Sequence, residues 1–377
     1  MPHTWREAGA VSTVAPVVIV GGGTAGSIVA RTLASMTDLP LVVIEPGGLT
    51  DDDQPRFMDG LVGDAVVDVH GMPQARAMGG GSAVNGMVLS GGEPRWLEGL
   101  TSVPKPGDVG HVGARLISAG GRVSRLWWNN GRWNPARAML HVEEEGRLRL
   151  VRADAVRIVH DGASATAVEC VPGVIGASHV VMCAGAIATP RLLRASGITG
   201  EVGRGLQNHP TVSFTFERHA PVTGTFDAAA VLDIVDGDAI GLMVAFERES
   251  AAAHHRALVT VSLMNPESRG TVDIDHVDFA LLSTERDRAA MGRLVERARR
   301  VMADMGVSDH VESGVHPVSH PASSCWRAVD HRGRLHGWTN ITVADASVLA
   351  HVPHETPAAS VTIEALRIAQ ALGEDLS

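Results

Sequence analysis

Residues 15–48, APVVIVGGGTAGSIVARTLASMTDLPLVVIEPGG, constrain the fold more than any other stretch of the chain. Val17 to Val20 is an apolar run of strand length, and Leu41 to Ile44 is a second one ending in Glu45. Between them, Gly21, Gly23 and Gly26 form G-x-G-x-x-G, and Ser27 to Met36 has helical character. This is a β-α-β unit with a dinucleotide fingerprint. Gly21 permits the tight turn, Gly23 lets the backbone approach a pyrophosphate, and Gly26 lets helix and strand pack closely. The helix N-terminus offers unpaired N–H groups to phosphate, and Thr24 and Ala25, in the glycine turn before it, are candidate cofactor contacts. Glu45 stands nineteen residues after Gly26, where a carboxylate accepts from ribose hydroxyls and disfavours a 2′-phosphate. FAD or NAD therefore fits better than NADP.

Two features favour FAD. The sequence holds no second G-x-G-x-x-G for a separate nicotinamide. A distant apolar strand, His179 to Cys183, runs into Ala184-Gly185-Ala186, small enough to pass close to a cofactor; a buried strand ending in a glycine turn explains that segment equally well. Other classes are disfavoured by composition. At 377 residues and 45% apolar content the chain reads as about two globular domains. A net charge of −10 and a single lysine, Lys105, give nucleic acid no basic patch. Cys170, Cys183 and Cys325 form neither a disulfide framework nor a zinc pattern, which suits a reducing, cytoplasmic setting. The N-terminus lacks signal-peptide character, and no apolar run is long enough to span a membrane.

Further motifs carry a resemblance. ARAMGGGSAVNGM (75–87), VVMCAGAIATPRLLRASGI (180–198), VGRGLQNHP (202–210), NPESRGTVDI (265–274) and HPASSCWRAVDHRGRLHGWTNITVADASVL (320–349) occur in that order. Together they resemble the signatures of the glucose–methanol–choline (GMC) FAD-dependent oxidoreductases. The resemblance implies an α/β fold: a discontinuous FAD-binding, Rossmann-type (glutathione-reductase-like) domain at 1–87, 129–206 and 316–377. An interleaved α+β substrate domain with an antiparallel sheet would take 88–128 and 207–315. It also implies FAD as cofactor and oxidation of a small-molecule alcohol. Carried over by position, Arg76, Gly79, Gly80, Ser82, Asn85 and Gly86 would follow the pyrophosphate and flavin edge. Val156 would meet adenine through its backbone, and Ala184, Gly185, Asp345, Ala346 and Thr356 would line the remainder.

The same alignment puts the catalytic histidine at His320, with His316 as competitor. A neutral imidazole suits removal of a hydroxyl proton. The second position of the pair, usually His or Asn, falls on Thr356, which cannot act as a base near neutral pH. His354, two residues earlier, is the other candidate. His351 and His354 are three apart, but Pro353 opposes the helix that would aim both at a metal, so no metal is expected. About thirty residues separate RWLEGL from NNGRWNPARAML, and 207–315 is compact, so the substrate side looks trimmed. That form resembles the actinobacterial branch associated with mycofactocin, and implies an open site completed by a bulky substrate, a redox partner or a partner subunit. A non-oxygen electron acceptor is favoured over O2. The alternatives are an alcohol oxidase producing H2O2 and a flavin-binding protein of this fold without catalysis.

Overall fold

The strands of the fingerprint region are apolar at every position because both of their faces are covered. In the computed structural model, which describes residues 14–51, 53–56, 64–90, 99–217, 221–248 and 256–377, they form a five-stranded parallel sheet. We label its strands β1 (Val17–Val20), β2 (Leu41–Ile44), β3 (Leu148–Val151), β4 (His179–Met182) and β9 (Ile341–Val343). Their order is β9-β4-β1-β2-β3, in parallel register throughout. Val17, Ile19, Leu41 and Val43 face three helices: α1 (Thr24–Ala34), α4 (Ala136–Glu144) and α7 (Ala358–Leu376). Val18, Val20, Val42 and Ile44 face a three-stranded antiparallel meander, Asp154–Asp161, Ser164–Val171 and Val174–Gly176. Burial on both faces is what turns parallel strands into continuous apolar runs. The chain leaves β1 toward β2 on one side and later fills β4 on the other. The order thus reverses at β1, and the carboxyl end of such a switch point is where open α/β sheets take ligands.

A second sheet is antiparallel and contains seven strands. Its long members are β5 (Pro210–Glu217), β6 (Ala230–Asp236), β7 (Ala239–Arg248) and β8 (Arg256–Leu263), paired in the order β5-β8-β7-β6. Arg122–Val123 extends the β6 edge, while Val311–Glu312 and His316–Pro317 pair with β5. Alternate residues, Val212, Phe214 and Phe216 on β5 and Val259 and Val261 on β8, face α3 (Gly110–Ser118) and α6 (Glu285–Asp304). α6 supplies Ala290, Met291, Leu294, Ala298, Val301 and Met302, a stripe at helical spacing. Its start is fixed by Thr284, whose side chain accepts from the Asp287 N–H. A further helix, α2 (Gly81–Val84), is one turn long and sits within the second glycine motif.

Sequence boundaries shift slightly. α1 begins at Thr24 and ends at Ala34, where propensity suggests Ser27 to Met36, because the helix starts directly on the glycine turn. β4 ends at Met182, one residue short of Cys183. The first thirteen residues and most of RWLEGL lie outside the described residues.

Candidate active site

The glycines of the fingerprint are required by close approach. Gly21 has φ +101°, and a Cβ there would stand 2.6 Å from the Cys183 carbonyl oxygen. A Cβ on Gly26 would stand 1.8 Å from the Gly21 carbonyl oxygen. Packing of α1 onto β1 and β4 therefore admits only hydrogen at these two positions. Glu45 closes the end of β2. Its carboxylate accepts from the Gly22 N–H at 2.9 Å and the Gly47 N–H at 2.8 Å. Burial pushes its pKa up, against the two N–H groups and Arg76, which pull it down. Arg76 itself donates from Nη2 to both carboxylate oxygens of Asp154, 2.9 Å to each. Next to Asp154, the meander is irregular: Cys170 pairs with Ala155 and Glu169 with Arg157, so Val156 has no cross-strand partner. Glu45, Arg76 and the bulge at Val156 thus come together at the carboxyl end of the sheet.

The two glycine motifs meet in space. A Cβ on Gly80 would lie 2.9 Å from the Cα of Gly23. Thr24 donates its hydroxyl to the Gly79 carbonyl at 2.9 Å and lies 2.8 Å from the Ser82 hydroxyl. No side chain caps α1 at Gly23 or α2 at Gly80. Behind them, Gly79 (φ +89°) has the Asn134 Oδ1 where its Cβ would be, at 1.9 Å. Asn85 ends α2, and its Oδ1 accepts from the Met87 N–H at 3.1 Å and Arg132 at 3.1 Å. That leaves the Asn85 amide N–H group without a partner among the described residues, and Gly86 follows it. Arg132 and Asn134, both buried, were not singled out by the sequence, although NNGRWNPARAML contains them.

On the other side of β1, Asp345 is fully enclosed. It accepts from the Gly185 N–H at 2.8 Å, the Thr189 hydroxyl at 2.5 Å and the Ser347 N–H at 2.8 Å. Burial raises its pKa, opposed by those donors. Its carboxylate is therefore spent on joining the start of α5 (Gly185–Ala195) to the 3-10 turn Ala346–Val348. Ala184, Gly185 and Ala346 are left to present small, backbone-rich surface.

The histidines sort themselves by partner. His316 lies in an edge strand, with Nε2 2.9 Å from the Ser213 hydroxyl and Nδ1 3.1 Å from the Pro317 carbonyl, so both ring nitrogens are engaged. His320 is different. Its Nδ1 lies 3.0 Å from the Nδ1 of His209, and its Nε2 has no hydrogen-bond partner among the described residues. His320 is partly open to solvent on its surface, yet enough protein surrounds the ring that burial pushes its pKa down to about 4. His209 is fully buried, and burial followed by the neighbouring His320 pushes it down to about 3. Both imidazoles are neutral at pH 7.

Residues 207–209 clamp the two loops that carry the candidate catalytic residues. Gln207 exchanges backbone hydrogen bonds with Ala322, and its Oε1 accepts from the Val352 N–H at 3.0 Å. Asn208 donates to the Val318 carbonyl at 2.6 Å. His209 Nε2 donates to the Pro353 carbonyl at 2.9 Å. Thr356, beyond that loop, donates its hydroxyl to the Val88 carbonyl at 2.7 Å, and its N–H donates to the Ser90 hydroxyl at 2.9 Å. The one proton it could have given a substrate is therefore used. His354 is exposed, with its ring 5.6 Å from that of His351, and its pKa is lowered by burial and then by His351. Among the described residues no group of three His, Cys, Asp or Glu side chains is placed to hold a metal, and no helix is long and apolar enough to cross a membrane.

Two family models described as GMC oxidoreductase match residues 118–211 and 266–365, together about half of the chain. The chain belongs to the GMC oxidoreductase family. Its cofactor is FAD, and the cradle fits it: two helix starts without side-chain caps, glycines facing each other at Gly23 and Gly80, and Glu45 at the end of β2. An uncharacterized GMC-type oxidoreductase of Rhodococcus erythropolis is 26% identical over 56% of this chain, and the matched stretch spans 54% of that protein. The oxygen-dependent choline dehydrogenase of Vibrio vulnificus is 21% identical over 89% of this chain and 90% of its own. That alignment runs over 505 positions, more than the 377 residues here, so much of the difference lies in internal gaps. Among solved structures, pyridoxine 4-oxidase from Mesorbium loti superposes with a TM-score of 0.79 at 20% identity, covering 96% of this chain and 99% of that one. Formate oxidase of Aspergillus oryzae gives 0.77 at 16%, covering 97% and 100%.

Proposed function

We propose that this oxidoreductase oxidises an alcohol, with His320 as the general base and an electron acceptor other than O2. The observation that carries the reading is the free Nε2 of a neutral His320, on a loop clamped through residues 207–209 to the loop that precedes Thr356. Bound FAD supplies the hydride acceptor. His320 takes the hydroxyl proton on Nε2 as the carbinol hydrogen leaves, so charge does not build on the substrate oxygen. Such assistance is worth about 10²–10⁴-fold in rate. The Asn85 amide is the donor we assign to the flavin edge. We assign Thr356 to holding the 88–90 segment rather than to proton transfer, and His354, which is exposed, to the mouth of the site. Residues 1–87, 129–206 and 316–377 would form the FAD-binding part, and 88–128 and 207–315 a reduced cap open to a bulky alcohol or a redox partner.

The experiment is anaerobic mixing of the flavin-loaded protein with a panel of primary, secondary, sugar, sterol and aromatic alcohols. The account expects bleaching of the flavin by at least one class and slow recovery when oxygen is readmitted. Bleaching followed by fast recovery with H2O2 would make the protein an oxidase. No bleaching by any alcohol would leave a flavin-binding protein without this activity.

A further inference from the structure

The bare Nε2 of His320 requires a particular tautomer, and the structure contains a residue that selects it. His209 is 0% exposed and lies 111 residues away in sequence. Its Nε2 is 2.9 Å from the Pro353 carbonyl, which can only accept, so that nitrogen carries the proton. A neutral imidazole has one N–H, so the Nδ1 of His209 is a lone pair. That lone pair is 3.0 Å from the Nδ1 of His320, with the rings nearly perpendicular at 87°. Two lone pairs do not attract at that distance, so the His320 Nδ1 must carry a proton. The hydrogen bond made by one ring nitrogen decides the state of the other. We propose that His209 is a positioning residue that fixes His320 as the Nδ1–H tautomer and so leaves Nε2 unprotonated toward the substrate.

The direction of the chain is set by the carbonyl at its far end. Pro353 O orders the His209 proton, His209 orders the His320 proton, and the base faces outward. With the opposite order His320 would offer Nε2–H, a donor rather than a base. The Met264 carbonyl also lies beside the His209 ring, but the contacts within hydrogen-bond distance are those to His320 and Pro353, and the remaining groups around the pair do not reverse the order. Asn208 Oδ1 is occupied by the His209 N–H, and Asn208 Nδ2 by Val318. His354, with His351 beside it and Arg286 near, adds positive potential that opposes a second proton on His209. The pair is also a mechanical tie: the Pro353 carbonyl belongs to the peptide that precedes His354, so His209 holds the loop of the second candidate against the first.

The proposal rests on His320 being the base, and the tests separate the two ideas. The direct readout is ¹⁵N histidine NMR of the wild-type holoenzyme above pH 6. The expected spectrum has pyrrole-type Nδ1 and pyridine-type Nε2 for His320, identified by loss of its signals in His320→Ala. The reverse pattern overturns the proposal regardless of activity. Two variants add a kinetic readout. His209→Asn keeps an oxygen acceptor opposite His320 Nδ1; His209→Gln keeps a donor for the Pro353 carbonyl but not the acceptor. Flavin reduction is expected to stay within about 10-fold in His209→Asn and to fall further in His209→Gln, at unchanged FAD content, because the Nε2–H tautomer is then no longer opposed; the full worth of a general base, about 10²–10⁴-fold, bounds that loss. The loss should lie in the limiting reduction rate rather than in the alcohol concentration for half-saturation. Equal rates in the two variants, whether both high or both low, would overturn the assignment. If instead His320→Ala reduces flavin normally, the base reading fails while the NMR result stands alone.

Discussion

Three histidines in this protein are kept neutral by the protein around them, and that carries a cost in acid. Burial pushes His209 down to about 3 and His179 and His320 to about 4, each from an ordinary value of 6.5. Between those values the unfolded chain binds protons that the folded chain does not, so stability falls as pH drops below 6.5, and the loss is complete near pH 3. Melting temperature measured from pH 7.5 to 4 should therefore decline, and His179→Asn, which removes one such group, should decline less steeply. A flat profile in the wild type would contradict the burial of these rings. With His320 as the proposed base, the same logic sets the acid limb of its reaction: His320 gains its proton only as pH falls toward 4, so flavin reduction should be insensitive to pH from about 5 to 8 as far as this group is concerned. Thr356 is argued at the same scale. Thr356→Val removes the bond to the Val88 carbonyl and should cost about 1 kcal/mol of stability. Flavin reduction should change by less than about 10-fold, and a loss of 10² or more would restore Thr356 to the chemistry.

At the scale of elements, the strand–glycine–helix unit was legible in the sequence because each of its residues has one physical task. Apolar strands buried on both faces leave no alternation to misread, and Gly21 and Gly26 are demanded by backbone contacts of 2.6 and 1.8 Å. Gly26→Ala should therefore yield protein with little bound FAD, read as the flavin-to-protein absorbance ratio; full occupancy would contradict the packing. Gly292 is the contrast. It lies exposed in α6, with nothing within 4 Å of an added Cβ, so Gly292→Ala should raise stability by about 0.5–1 kcal/mol with FAD content unchanged. The start of α1 was less legible, since Thr24 has ordinary helix propensity and only the turn geometry places the first helical residue there. Arg132 and Asn134 were missed for a related reason. Nothing in NNGRWNPARAML states that Asn134 will lie against Gly79 or Arg132 against Asn85, because both contacts are made between segments about fifty residues apart.

Over the whole molecule, the site is built from chain-distant pieces: His209 reaches 111 residues to His320 and 144 to Pro353, and Thr356 reaches 266 to Ser90. Sequence order could assign the family's motifs to positions, and it brought His320 forward. It could not say that Thr356 would give its proton to a carbonyl, that Asp345 would be consumed by two helix starts, or that the Gln-Asn-His of VGRGLQNHP would clamp the loops that carry His320 and His354. Those facts depend on side-chain direction after folding. The clamp residues 207–209 directly precede β5, the strand that opens the seven-stranded antiparallel sheet. The most direct measurement of the central claim is anaerobic single-turnover reduction of bound flavin by the alcohol that bleaches it fastest, in wild type and His320→Ala. The account predicts a reduction rate lower by about 10²–10⁴-fold in the variant, at equal FAD content. An unchanged rate would contradict it.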